Sequence, residues 1–157
     1  MTRPPGAPSS RSNLPVIALA AYLVLLVALT FLPIGTDASV QYDRVNLTPF
    51  ATIRPALRHG PGSTVFALLV GNIAAFVPLG ILLPAVSARL RSLVVVICIA
   101  VVASAAIETG QLAVSSVVGF PYRSTDIDDV ILNVGGALIG YTFFAVTKLL
   151  GALQPSR

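Results

Sequence analysis

Four apolar runs, at about residues 14–34, 64–86, 93–118 and 127–150, dominate the chain. Each matches or exceeds the roughly 20 residues a helix needs to cross the hydrocarbon core of a bilayer. Backbone in lipid must satisfy its own hydrogen bonds, so runs of this length are expected to be helices. The expected fold is an all-α membrane protein, a four-transmembrane-helix bundle. Composition agrees: 10% of the 157 residues are charged, against about 25% in an ordinary soluble domain. A single membrane domain over 14–150 is expected, with no internal repeat. It lies between a disordered Pro/Ser/Gly/Arg-rich tail, 1–13, and a short tail, 151–157. The first run is longer than the about 7–15 residues of a signal-peptide core and is read as an uncleaved span. The net charge of +4 comes from scattered arginines, which excludes nucleic acid as a partner class.

The longest polar connection, 35–63, contains Asn46-Leu47-Thr48-Pro49-Phe50. Thr48 suits a helix cap and Pro49 the first helical position. Phe50, Ile53 and Leu57 would then share one face and Arg54 and Arg58 another, with Gly60-Pro61-Gly62 ending the helix. This predicts a short amphipathic helix in the first outer loop. Two placements remain open, on the membrane surface or packed against the bundle.

Polar residues inside the apolar runs carry the functional signal. The second run holds Asn72 and Pro78, and the proline, unable to donate to the Ala74 carbonyl, predicts a kink. On the third, Ser104, Glu108, Gln111 and Ser115 fall within a sector of roughly 60°. On the fourth, Asp126, Asp129, Asn133, Gly136 and Gly140 fall within roughly 80°. Asp128 points the opposite way. It reads as a charge favouring the positive end of its own helix, dispensable to a site on the stripe. The two glycines read as a close-packing pair. At 1.5 Å per residue, Asn72 lies ~12 Å and Glu108 ~15 Å below the outer ends of their helices. Asn133 is expected a turn or two below the outer end of the fourth. Polar groups at such depth normally face protein or a water-filled cavity, so a cavity open to the outer side is expected. A carboxylate at the depth of Glu108 must be neutral or paired, and Arg123 is its candidate partner.

Basic residues set the orientation. Arg3, Arg11, Arg89, Arg91, Lys148 and Arg157 share one side with no acid. Arg44, Arg54, Arg58 and Arg123 share the other with five aspartates. Both termini are therefore expected in the cytoplasm. The lone Cys98 permits no internal disulfide, and the lone His59, in a Gly/Pro-rich loop, makes no metal set. No metal and no cofactor are expected.

These residues, taken in order, resemble a known family. Asn46-Leu47-Thr48-Pro49-Phe50 comes first, followed by Asn72 with Phe76, Pro78 and Gly80. Next come Ile107-Glu108 with Gln111, then Arg123, Asp126, Asp129, Asn133 and Gly136. Over about Val45 to Tyr141 the chain resembles the VanZ-like family of bacterial integral membrane proteins. It departs from the family at Tyr122, where glycine is frequent, and at Ser124-Thr125, where an apolar residue is more usual. The resemblance implies a multi-pass protein of the bacterial plasma membrane. Through the family's namesake it also implies an association with resistance to the glycopeptide teicoplanin.

Three readings of function follow. The preferred one is binding of an envelope lipid, a lipid-linked cell-wall precursor or a lipoglycopeptide. Asn46, Asn72, Glu108, Gln111, Arg123, Asp126, Asp129 and Asn133 would be the ligand-binding residues. The second is an enzyme on such a lipid, with Glu108 and Asp129 as acid and base, or with Asp126, Asp129 and Glu108 around a hard cation. No nucleophile pattern and no P-loop support it. The third is an accessory subunit in which the polar groups bind helices together. A transporter is disfavoured, because one side of the bundle lacks polar lining and no inverted repeat is present. The oligomeric state has no signature in the sequence.

Overall fold

The computed structural model describes residues 13–32, 45–119 and 124–153. Four long helices form the bundle: α1 (Leu14–Phe31), α3 (Thr64–Val86), α4 (Leu93–Val118) and α5 (Ile127–Leu153). Each is long and apolar enough to cross a membrane. A short helix, α2 (Ile53–His59), precedes α3, and a 3-10 turn, Ala88–Leu90, joins α3 to α4. Two two-residue strands, β1 (Val45–Asn46) and β2 (Thr125–Asp126), pair in parallel, Val45 with Thr125 and Asn46 with Asp126.

Local chemistry explains most of the boundaries. Pro15 stands in the first turn of α1, where its missing N–H is no loss. Ser63 caps α3 by accepting from the Phe66 N–H at 3.2 Å. Gly119 ends α4 in the left-handed conformation, φ 83°. The span α3 continues as one helix through Pro78 and Pro84.

Leu26 of α1, Phe76 and Leu79 of α3, Val96 and Ala100 of α4 and Ala137 of α5 meet in one buried cluster. The outer faces stay apolar and exposed, as at Val24, Leu68, Val102 and Phe143, which suits helices whose surroundings are lipid. The most intimate contact is between α3 and α5, which run parallel. A Cβ on Gly136 would lie 2.0 Å from the Ile73 carbonyl oxygen, and one on Gly140 2.0 Å from that of Val77. Only hydrogen at these positions lets the backbones approach so closely. By contrast α1 is peripheral: Leu26 is its buried residue, and hydrogen bonds to backbone carbonyls join it to α3 and α4. Tyr22 donates to Ala75 O at 2.7 Å, and Gln111 donates to Thr30 O at 2.9 Å.

The start of the short helix differs from expectation. Thr48 does not cap it and Pro49 is not its first residue. Residues 48–52 form a turn, with Phe50 at φ 66°, and α2 begins at Ile53. The cap comes from a distant carboxylate, described next. The helix packs on the bundle through Ala56, fully buried against Leu69 and Leu132, while Phe50 and Leu57 remain exposed.

Candidate functional site

At the end of the bundle opposite the termini, five elements bring acids and amides together. The segment 124–126 sets the geometry. It descends along the last turns of α4, so that Thr125 donates its hydroxyl to the Glu108 carbonyl at 3.3 Å. Glu108 lies ten residues before the end of α4, roughly 15 Å along the axis. Asn133 accordingly lies level with Ser104 and donates to its Oγ at 2.9 Å. That is deeper, relative to the end of α4, than the turn or two expected from the fourth helix alone. Extended backbone this far down requires protein partners. Pairing of β2 with β1 and burial against α4 supply them.

The carboxylates are met one by one. Glu108 is buried, and its Oε2 accepts from the Asp126 N–H at 3.0 Å. Asp126 Oδ1 accepts from the Asp128 N–H at 2.9 Å, which caps α5. Its Oδ2 accepts from Asn46 Nδ2 at 3.3 Å and from the Thr52 hydroxyl. Asn46 Oδ1 in turn accepts from the Thr48 N–H at 3.1 Å. The Asn72 amide donates to Asp129 Oδ1. Ser104, Glu108, Gln111 and Ser115 all lie buried, as a shared helical face implies, but they serve different partners. Gln111 turns to α1 and Ser104 to α5. Asn133 is buried, and its Oδ1 has no hydrogen-bond partner among the described residues.

Asp128 is the residue that sequence reasoning undervalued. It lies on a different face from Asp129, but that face is covered. With 0% exposure, it accepts from the N–H groups of Phe50 (2.6 Å), Thr52 (2.8 Å) and Ile53 (3.1 Å). These are N–H groups around the start of α2, which no residue of that helix satisfies. Asp128 thus caps α2 from 75 residues away in the chain. The available signal was weak: a third acid within four residues, in a chain with only six.

Arg123, the expected partner of Glu108, lies outside the described residues. The three carboxylates of the cation reading are engaged by N–H, amide and hydroxyl donors. No group of three His, Cys, Asp or Glu among the described residues is placed to hold a metal ion. Asn46, Asn72 and Asp129 are half-buried, while Glu108, Gln111, Asp126, Asp128 and Asn133 are buried.

The VanZ/LLP1 family model matches residues 19–149, which covers α3 and α4, most of α1 and α5, and every residue of this cluster. The chain belongs to the VanZ/LLP1 family. It is a multi-pass membrane protein of that family. In this VanZ/LLP1 protein, the loop before α2 and the segment before α5 are one hydrogen-bonded unit. No curated protein and no solved structure matched the chain.

Proposed function

We propose that this VanZ/LLP1 protein binds the polar headgroup of an envelope lipid, a lipid-linked wall precursor or a lipoglycopeptide at the loop end of the bundle. Through that binding it affects teicoplanin susceptibility. The carrying observation is that the network joins buried Glu108, Asp126, Asp128 and Asn133 to half-buried Asn46, Asn72 and Asp129. A cluster serving only as glue has no need of polar groups left half-exposed. Leu47, Phe50 and Leu57, on the loop and helix that follow Asn46, are exposed, suited to the apolar part of an amphiphile. Arg54, placed 5.8 Å over the Phe50 ring, and Arg58 supply positive charge for an anionic group. With the termini in the cytoplasm, as the basic residues indicate, this end faces outward in the bacterial plasma membrane.

The test is native mass spectrometry of the gently purified full chain, wild type against Asp129→Asn. A lipid or precursor retained by wild type and lost in the folded variant is the expected result. A retained lipid that is chemically altered would instead favour the carboxylate enzyme. No retained molecule, with Asp129→Asn silent for teicoplanin susceptibility, would favour the accessory subunit.

A further inference from the structure

A second feature lies at the opposite end of the bundle. A groove of about 530 Å³ opens between the first turn of α1, the last turn of α3 and the link that follows it. Pro15, Val16, Ala85 and Val86 form its apolar walls, and Arg89 and Arg91 its polar rim. The volume lies within the range of small-molecule sites. Arg91 Nε donates to the Pro84 carbonyl at 3.3 Å, which ties the guanidinium to the end of α3. The two arginines sit two residues apart, on and beside a 3-10 turn whose own cap is Ser87.

The charge balance identifies what they meet. None of the six acidic residues lies in α1, in α3, in the link or after Asp129. The nearest in sequence, Glu108, stands 17 residues beyond Arg91 (108 − 91), roughly 25 Å along α4. The tail before Asn13 adds Arg3 and Arg11 and no acid. No acidic side chain in these segments is placed to meet Arg89 and Arg91, which leaves them suited to an anion from outside the chain. At the end of a transmembrane helix, with apolar walls below a basic rim, the matching group is the phosphate of an anionic phospholipid. Its glycerol and first acyl carbons would lie on Val16 and Val86.

We propose that this groove is a binding site for one anionic phospholipid of the leaflet on the side of the termini, independent of the loop-end cluster. Native mass spectrometry of the full chain, offered phosphatidylglycerol and phosphatidylcholine together, tests it. One phosphatidylglycerol should bind in preference to phosphatidylcholine. The combination Arg89→Gln with Arg91→Gln should weaken it by roughly thirtyfold, the effect of two basic charges near a membrane surface. Lys148→Gln, a basic residue outside the groove, should leave it unchanged, and inorganic phosphate should not displace it. If the double variant does not fold, Val16→Trp, at an exposed position on the groove wall, should block binding while both charges remain. Equal binding of the two lipids, or an unchanged preference in the arginine or tryptophan variants, would overturn the proposal. Displacement by inorganic phosphate would also overturn it, by making the ligand a free anion.

Discussion

Asp128 and Asp129 are neighbours with opposite duties. Asp128 spends both carboxylate oxygens on backbone N–H groups in a fully buried place. Asp128→Asn puts an NH2 donor where at least one N–H donor already points. It should destabilise the protein by ~2–4 kcal/mol, the scale for charged hydrogen bonds lost in the interior. A lowered melting temperature in detergent is the readout. Asp129 is half-buried and keeps an acceptor oxygen for the Asn72 amide after Asp129→Asn, so that hydrogen bond survives the substitution. A melting temperature unchanged by Asp128→Asn would show that the turn at Phe50 is not held by Asp128. Ordinary expression of Asp128→Asn with loss of only the envelope phenotype would mean that Asp128 acts in function and not in the fold.

At the scale of elements, α3 and α5 form the rigid centre, and the loop-end segments are fastened to it. Gly136→Ala sets a methyl group against the Ile73 carbonyl, inside any permissible contact. The helices must separate, at a cost of ~1–3 kcal/mol or more. Gly135→Ala meets nothing within 4 Å and gains helix propensity, so it should be neutral or stabilising by up to about 1 kcal/mol. Thermal unfolding of the pair in the same detergent separates helix packing from a general intolerance of substitution. The strand pair makes a second prediction. Asn46→Ala removes a bond to Asp126 and the turn bond to Thr48. It should raise hydrogen exchange at residues 45–53 and at the start of α5 together, because the two segments are one unit. Exchange confined to 45–53 would show that they open separately.

For the whole molecule, the two ends differ in chemistry. Acids and amides gather at the loop end, and unopposed basic residues at the other. Orientation in the membrane decides which leaflet meets which end. In a Cys98→Ala background, Ser39→Cys should react with an impermeant thiol reagent in intact cells, while Ser9→Cys and Ser87→Cys should not. The reverse pattern would place the loop-end cluster in the cytoplasm and remove the envelope ligand from consideration.

What the sequence determined by itself is the set of spans and the polar residues within them. Twenty or more apolar residues in lipid have little choice but helix, and Glu108 or Asn133 inside such a run must face protein. The same local rules gave the glycines as a close contact. They failed at Thr48 and at Asp128 for one reason. Both readings assumed that a helix end is capped from its own neighbourhood, whereas α2 is capped from the start of α5. That pairing exists because the segment 124–126 runs back down α4 and meets β1. Its descent depends on hydrogen bonds between residues 17 to 80 positions apart. Spacing along one helix carries no record of such bonds. The tertiary structure therefore decided which backbone and side-chain donors each carboxylate meets, and that Asp128 holds the loop before α2.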